Sequence, residues 1–455
     1  MEKECDIIVI GAGLTGLTLA FLLKKRGKKV VVIEKSNRTG GAISTHSRDG
    51  YIFEEGPSSA SLSTPEAAVL FEMLDGKVEM QRASSAANRR MILKNGVIEE
   101  LPSGIIGGVA TNLFTLKDKF RLLFEPVRKK GNNPNETIAS LVRRRMGSSF
   151  LDYAAAPFIG GIYAGDTEKL VVRHAMPKLY NLEQNYGSFV RGGVAKSFEK
   201  KSDYDKKATK ELFSARGGFG NLIKALEDKV GKESIMLGEN CEVEKGENGF
   251  WRVKTNEFTI TCKNIVSTVG SYALADIFSF MSDNFKEVAK KLNYAKVVQA
   301  CVGINSDRLI PKPAFGMLVP PREKRDILGV LYPSIYFDGR APKGKTLFSI
   351  FLGGVNRSDI IEMSSDQIRA IVVRELTSLY NLDSEKIEFI EIFRHIRAIA
   401  QYEAICDELL SEIKKFESEN VGIILSGSMR DGIGVASRIS QAFRISESLR
   451  RVLII

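Results

Sequence analysis

The sequence predicts a mixed α/β fold, with α+β character outside its main parallel sheet. Three observations support this prediction. The chain opens with an apolar strand, a glycine-rich turn, a helix and a second strand; residues 240–270 alternate as strands; and the chain closes with an apolar strand, a glycine-rich turn and a long helix. Because strand–helix–strand units build parallel sheets, we expect these distant segments to meet in one sheet.

The opening unit has the residue order of a Rossmann-like strand, turn and helix. Residues 6–10 form an apolar run, and Gly11, Gly13 and Gly16 follow it in G-x-G-x-x-G spacing. A mostly apolar helix then runs to Gly27, and residues 30–33 form the second strand. The first glycine permits a tight turn, the second lets the backbone approach a pyrophosphate, and the third lets helix and strand pack closely.

An acidic residue closes this unit. Glu34 lies 18 residues after Gly16, where a carboxylate can accept hydrogen bonds from ribose hydroxyls. The order of strand, helix, strand and acid predicts a dinucleotide site in preference to a glycine turn of an unrelated α/β protein. Arg38, Gly40 and Gly41 follow closely, and a hairpin with another glycine-containing turn comes next. This continuation suits a cofactor whose pyrophosphate is bound by the protein from two sides. NAD is the alternative cofactor, and it would need no such continuation.

The bulk composition is that of a globular protein of 455 residues, with 44% hydrophobic and 27% charged residues. The net charge is +11, but the basic residues do not gather into patches interleaved with aromatics. We therefore expect no nucleic-acid partner, and a basic surface that attracts an acidic small molecule or anionic lipid instead. Five scattered cysteines and three dispersed histidines predict neither a disulfide framework nor a metal site.

The location of the protein is predicted from two features. No apolar run approaches the ~18 residues of a membrane-spanning helix. The first strand begins within a few residues of the start, which leaves no room for a cleaved signal peptide. We expect a cytoplasmic protein; attachment to a membrane face and formation of a homodimer stay open.

Changes in composition and periodicity divide the chain. We predict a discontinuous dinucleotide-binding domain (residues 1–79, 212–283 and 393–455), a mainly helical insertion that contributes to the substrate site (80–211) and a substrate-binding sheet domain (284–392). Predicted helices cover residues 66–74, 136–146 and 367–380, and a final helix starts near Gly434 after a strand at 421–425. The charged run at 196–211 is predicted to be an exposed, mobile loop.

Several longer segments resemble the protoporphyrinogen oxidase family, within the flavoproteins that also include the amine oxidases. The first segment, after the first hairpin, is "EEGPSS", and the second, at residues 88–104, is "NRRMILKNGVIEELPSG". The third, at 157–193, is "PFIGGIYAGDTEKLVVRHAMPKLYNLEQNYGSFVRGG", and the fourth, at 213–226, is "FSARGGFGNLIKAL". The third is the most specific, since amine oxidases share the N-terminal glycines but not this segment.

The resemblance implies a non-covalent FAD cofactor, since no cysteine lies in the last glycine turn to form a covalent link. The final helix would point its positive end at the flavin pyrimidine, where negative charge accumulates on reduction; a terminal helix that merely docks on the sheet is the alternative. The implied FAD-binding residues are Gly11, Ala12, Gly13, Leu14, Thr15, Gly16, Glu34, Lys35, Arg38, Gly40, Gly41, Ala42, Gly56, Pro57, Ser58, Ser59, Val243, Thr268, Gly427, Ile433, Gly434 and Val435.

The resemblance also implies a reaction, the six-electron oxidation of protoporphyrinogen IX in three flavin cycles, with dioxygen as acceptor and hydrogen peroxide as product. Arg89 matches the family's propionate-binding position, although a solvated surface arginine is the alternative. Gly161 matches a position where backbone alone stands beside the macrocycle, and an ordinary helix-ending turn is the alternative. We predict no general base, because removal of a hydride toward flavin N5 depends chiefly on how the substrate is positioned against the flavin.

The sequence departs from the family pattern at two places. Ala400 stands before Gln401 and Tyr402 where the family often has proline, and Gly427 is followed by Ser428 where many related flavoproteins have Gly-Asp. Three alternatives stay open: a coproporphyrinogen III oxidase, another FAD amine oxidase, and a non-catalytic flavin- or porphyrin-binding protein.

Overall fold

The structure is a computed structural model that describes residues 2–102, 107–108 and 110–452. The predicted turn at the end of the second family-like segment extends to Ser103 and Gly104, which lie outside the described residues.

The β-strands alternate with helical segments along the whole chain. They are β1 (Glu2–Ile10), β2 (Val30–Glu34), β3 (Ser44–Arg48), β4 (Tyr51–Glu55), β5 (Ala60–Ser61), β6 (Met80–Arg82), β7 (Met91–Lys94), β8 (Val97–Glu100), β9 (Leu212–Ala215), β10 (Ile235–Leu237), β11 (Cys241–Lys245), β12 (Trp251–Thr255), β13 (Thr259–Ser267), β14 (Tyr294–Ile304), β15 (Gly316–Leu318), β16 (Ile327–Leu331), β17 (Thr346–Gly353), β18 (Ile387–Ala400) and β19 (Ile423–Leu425).

The α-helices are concentrated in the first half of the chain and at its end. They are α1 (Leu14–Lys25), α2 (Pro65–Met73), α3 (Leu116–Leu123), α4 (Ile138–Arg145), α5 (Ser148–Phe150), α6 (Ala156–Tyr163), α7 (Val172–Ala175), α8 (Pro177–Tyr186), α9 (Phe189–Ser197), α10 (Asp203–Lys206), α11 (Phe219–Val230), α12 (Leu274–Ile277), α13 (Asp283–Lys291), α14 (Pro333–Tyr336), α15 (Ser365–Tyr380), α16 (Ile405–Glu419) and α17 (Val435–Val452).

Shorter helical turns join these elements. The 3-10 turns are Ser85–Asn88, Glu125–Val127, Lys232–Ser234, Ser271–Ala273, Pro321–Glu323, Ser358–Glu362 and Ser384–Lys386, and a π-helical turn spans Leu151–Ala155.

The first sheet joins the start, middle and end of the chain. Its order is β10-β2-β1-β13-β12-β11, and β19 pairs with the C-terminal end of β13. Strands β10, β2, β1, β13 and β19 run parallel, with Val9 beside Val266 and Ser267 beside Leu425. The prediction that the strand before Gly270 and the last strand return to the opening unit is therefore confirmed.

Helix α1 covers this sheet together with the last helix of the chain. Leu17, Leu19 and Ala20 of α1 are fully buried, and they share one apolar cluster with Ile439 and Ala442 of α17. Because an α/β sheet needs apolar helices on its faces, the two ends of the chain stabilise each other here.

The second sheet has the order β18-β14-β17-β16-β15-β7-β8. Strands β7 and β8 come from the segment predicted to be mainly helical, and β7 joins through a parallel pairing of Met91 with Met317. The boundary predicted after residue 392 falls inside β18. Helix α13 was not predicted, although Ser282 caps it and Asp283 opens its first turn, both ordinary helix-start signals.

The segment 110–206 is largely helical and surrounds a buried group of charges. Arg145 and Glu125 are fully buried and paired, and Arg145 Nε lies 2.7 Å from Glu183 Oε1. The charged run at 196–211 is mostly exposed, as expected, but it contains the one-turn helix α10, which Ser202 caps. Within the described residues, no helix combines the length and apolarity needed to cross a membrane.

Candidate cofactor and substrate site

The glycine loop after β1 is shaped by close backbone approaches. Gly11 has φ +102°, and a Cβ there would lie 2.7 Å from the Thr268 hydroxyl. A Cβ at Gly16 would overlap the Gly11 carbonyl oxygen. Thr268 follows β13 and donates from its hydroxyl to the carbonyl oxygens of Ile10 and Gly11, at 3.0 and 3.2 Å. Gly11 and Gly16 of the first loop therefore lie beside Thr268 from a distant part of the chain, and all three are predicted site residues.

The N-terminus of α1 has the features of an anion site. Gly13 is its N-cap, and among the described residues no side chain caps this end and no acid lies in its first turn. A Cβ on Gly13 would have nothing nearer than 3.9 Å, the Cα of Gly41. The amides of Leu14 and Thr15 thus face a space that a phosphate could enter.

Glu34 is held against this loop by hydrogen bonds. Its Oε2 accepts from the Ala12 amide at 2.8 Å, and its Oε1 accepts from the amide and hydroxyl of Ser36 at 2.9 and 2.8 Å. A carboxylate has about four acceptor positions. The remaining one can accept from a ribose hydroxyl, which fits the predicted role.

A second glycine turn closes over the first. The Gly40 amide donates to the Ala12 carbonyl at 2.8 Å, and a Cβ on Gly41 would lie 3.2 Å from the Cα of Gly13. Arg38 is exposed and donates to the carbonyls of Thr39 and Ile43, both at 3.2 Å. Its neighbours in the predicted set, Lys35 and Ala42, are also exposed.

The turn at residues 56–59 depends on a residue that sequence reasoning missed. Gln299 of β14 is fully buried; its Oε1 accepts from the Gly56 amide at 2.8 Å, and its Nε2 donates to the Glu54 carbonyl at 3.0 Å. A Cβ on Gly56 would overlap the Ala42 carbonyl oxygen. The only signal for Gln299 in the sequence is one amide within the apolar run "VVQACV". Pro57, Ser58 and Ser59 continue this turn.

The last glycine turn lies against the first sheet. Gly427 has φ +103°, a Cβ there would lie 2.7 Å from the Thr268 carbonyl oxygen, and its amide donates to Gln441 Oε1 at 3.0 Å. The Tyr402 hydroxyl accepts from the Gly432 amide at 2.9 Å and donates to the Ser428 carbonyl at 2.8 Å.

The start of α17 is partly open. Helix α17 starts at Val435, which is buried, while Ile433 is half-buried and Gly434 is exposed with nothing within 4 Å of a Cβ position. The remaining predicted contact, Val243, is buried in β11, and β13 and β12 separate that strand from β1.

Gly161 lies on α6, which contacts the interior strands β15 and β16 of the second sheet. It is exposed, and a Cβ there would lie 2.8 Å from Leu318 Cδ2 on β15. Phe158 and Ile162 of the same helix are 41% and 43% exposed. This surface can accept a flat apolar molecule beside a stretch of backbone.

Arg89 lies just before β7 and already has partners. Its Nε lies 3.3 Å from Glu100 Oε2, its Nη1 donates to the Pro313 carbonyl at 2.8 Å, and its side chain is 38% exposed. A substrate carboxylate could reach this guanidinium by replacing Glu100.

Tyr163, on the same helix as Gly161, packs against Tyr402. The rings of Tyr163 and Tyr402 are 6.1 Å apart. Burial raises the pKa of Tyr163 to about 12 and also raises the pKa of Tyr402. Both stay protonated at neutral pH and therefore do not act as bases.

Comparison with known proteins identifies the class. Residues 14–394 match the family of flavin containing amine oxidoreductases. The chain belongs to this family and is an FAD-dependent oxidoreductase, which confirms the predicted cofactor and enzyme class.

Individual relatives support the more specific resemblance. Protoporphyrinogen oxidase 2 of Arabidopsis thaliana is 26% identical over 97% of this chain and 93% of its own length. Coproporphyrinogen III oxidase of Bacillus subtilis is 24% identical over 97% of each chain. A crystal structure from Exiguobacterium sp., described as a candidate protoporphyrinogen oxidase, has a TM-score of 0.81 at 19% identity over 98% of each chain, which confirms the fold.

Proposed function

We propose that this chain oxidises a porphyrinogen to the corresponding porphyrin, with protoporphyrinogen IX as its first candidate substrate. The observation that carries the proposal is similarity to protoporphyrinogen oxidases along nearly the whole chain. The segment around Gly161 is included in that similarity, whereas a glycine loop alone would fit many flavoproteins.

The cofactor side of the proposal rests on the residues around the first sheet. Bound FAD supplies two-electron oxidation. The amides at the start of α1 would bind the pyrophosphate, the Glu34 carboxylate would accept from a ribose hydroxyl, and the amide of Gly434 would face the flavin ring. We propose non-covalent attachment, and we propose that residues 80–211 and 284–392 form the substrate side, together with the rest of β18 up to Ala400.

The substrate side rests on Gly161 and Arg89. The macrocycle would lie against the Gly161 backbone, and Arg89 would exchange Glu100 for a propionate of the substrate. Each turnover removes two hydrogens from the macrocycle as a hydride and a proton, and dioxygen accepts them as hydrogen peroxide. Three turnovers consume three dioxygen molecules and remove six hydrogens, which completes the porphyrin.

Coproporphyrinogen III is the second candidate substrate. The full-length similarity to the coproporphyrinogen III oxidase of Bacillus subtilis favours it. The net charge of +11 favours it as well, since this substrate carries more propionates than protoporphyrinogen does.

The test is aerobic turnover of both porphyrinogens, followed by porphyrin fluorescence and peroxide release. A heat-killed sample corrects for autoxidation, and the deflavinated protein with FAD added back shows dependence on the cofactor. Fluorescence that rises with enzyme, at one peroxide per two electrons, supports the proposal and identifies the substrate. A yellow protein that turns over neither substrate would refute it. Release of all flavin by acid precipitation would support non-covalent binding.

A further inference from the structure

Arg438 of α17 connects three predicted cofactor residues. Its carbonyl oxygen accepts from the Thr15 hydroxyl at 3.3 Å, and its amide donates to the Gly434 carbonyl at 3.0 Å. Its guanidinium Nη1 and the Gly427 amide donate to the same atom, Gln441 Oε1, at 2.8 and 3.0 Å. Arg438 therefore joins the start of α1, the last glycine turn and the start of α17.

The guanidinium of Arg438 is held inside the protein as a cation. Its Nη2 donates to the Arg430 carbonyl in the last glycine turn at 3.1 Å, while Nε is buried and has no hydrogen-bond partner among the described residues. The residue as a whole is half-buried, and burial lowers the pKa of Arg438 to about 10. Arg438 is still charged at neutral pH, and its surroundings screen that charge less than bulk water does.

The acids near Arg438 are paired with other arginines. Asp431 Oδ2 lies 3.2 Å from Arg430 Nε, and Asp431 Oδ1 lies 3.6 Å from Arg444 Nη2. Glu417 Oε1 lies 3.2 Å from Arg430 Nη1. Within the part of the chain that the structure describes, no carboxylate forms an ion pair with Arg438 itself. This cluster of three arginines and two acids therefore leaves one positive charge uncompensated.

We propose that Arg438 is a positioning residue that favours the reduced form of the bound flavin, because its charge stabilises the negative charge that the flavin gains on reduction. This role rests on the proposed placement of FAD, in which the start of α17 faces the flavin ring. The amides at a helix start supply the equivalent of about half an elementary charge. Arg438 adds a full charge one helical turn behind them, and its hydrogen bonds fix that charge against the last glycine turn.

The experiment measures the midpoint potential of FAD bound to the full-length holoenzyme, by equilibration with a redox dye of known potential. No porphyrinogen is added, so a failure of the proposed turnover and a failure of this role are distinguishable. The test variants are Arg438→Gln, which removes the charge, and Arg438→Lys, which keeps it. The matched control is Arg444→Gln, which removes an equal charge from the same cluster at a side chain that is 59% exposed.

We expect the potential to follow the charge at position 438. Arg438→Gln should lose about tenfold in the affinity for reduced FAD relative to oxidised FAD, which lowers the potential of a two-electron couple by about 30 mV. Arg438→Lys should keep most of the wild-type potential. Arg444→Gln should stay within about twofold of the wild-type affinity ratio, since solvent and salt screen an exposed charge. Arg438→Gln at the wild-type potential, or Arg438→Lys as low as Arg438→Gln, would overturn the proposal.

Asp431→Asn gives a second test with the opposite sign. Asp431 has φ +66°, which asparagine tolerates, and an asparagine oxygen can still accept from Gln441 Nε2, now 2.7 Å from Asp431 Oδ2. Loss of this negative charge near Arg438 should favour reduced FAD by about threefold and raise the potential. A general loosening of the site would not raise it. A potential that falls or stays constant in Asp431→Asn would overturn the proposal, even if Arg438→Gln does not fold.

Discussion

Replacing Gly13 by alanine separates the cofactor role of the glycine loop from its structural role. Gly13 has φ −73° and ψ 179°, which alanine adopts freely, and the new methyl group would have nothing nearer than 3.9 Å. The loss in the stability of the cofactor-free protein should stay near 1 kcal/mol, because alanine is a weaker N-cap than glycine. The methyl group would fill the space through which a pyrophosphate approaches. The steric overlap there should cost about 2 kcal/mol of binding free energy, which weakens FAD binding about thirtyfold.

The assay is titration of the deflavinated protein with FAD, followed by flavin fluorescence, beside thermal unfolding without FAD. Gly16→Ala is the matched comparison, because its methyl group would overlap the Gly11 carbonyl oxygen and must displace the loop itself. Gly16→Ala should therefore destabilise the cofactor-free protein by at least about 3 kcal/mol. If Gly13→Ala binds FAD as tightly as the wild type, the pyrophosphate does not approach this backbone and the reasoning is refuted.

Two further substitutions and the dependence of stability on pH test other parts of the molecule. In Gly161→Val the new Cβ would meet the Leu318 side chain at 2.8 Å. This substitution should raise KM for the porphyrinogen about tenfold and leave the flavin content unchanged. An unchanged KM would show that Gly161 is not part of the substrate site. Glu125→Gln leaves the buried Arg145 short of one countercharge, so it should cost about 3 kcal/mol of stability in denaturant unfolding, whereas the exposed Glu242→Gln should cost almost nothing. Burial raises the pKa of the Glu125 carboxyl, but its hydrogen bonds hold the net value below 4.5. The ionised Glu125 therefore adds to the free energy of unfolding above pH 4.5, and this contribution is lost as the pH falls through the lowered pKa. We expect the free energy of unfolding of the wild type to fall more steeply in acid than that of Glu125→Gln.

The glycine loop could be predicted because its signals are local. Strand, turn, helix and acid follow one another within a few dozen residues, and the Cβ position of Gly16 is occupied by the nearby Gly11 carbonyl oxygen. The return of β13 and β19 could also be predicted, because apolar runs that end in a glycine turn are typical of parallel strands. The structure brings Gly11, Thr268 and Gly427 into contact accordingly.

Pairings across long stretches of sequence could not be predicted. Strand β7 has four residues, and its partner β15 lies more than two hundred residues later, so no local pattern predicts the pairing. The role of Gln299 could not be predicted from the sequence for the same reason. Its role depends on the Gly56 amide of a distant turn, and a sequence shows only a polar residue in an apolar strand. Helix α13, by contrast, had a readable N-cap and could have been found.

The departure at Ala400 bears on whether the protein is a working enzyme. Proline at this position would stiffen the chain, and here hydrogen bonds do so instead. The Gln401 amide donates to the Asn293 carbonyl at 2.9 Å, and its side-chain Nε2 donates to the Tyr163 carbonyl at 2.8 Å. Gln401 thus ties the end of β18 to the helix that carries Gly161, and Tyr402 next to it holds the last glycine turn. Since the geometry is fixed without proline, Ala400 gives no reason to prefer a protein that binds a porphyrinogen without oxidising it.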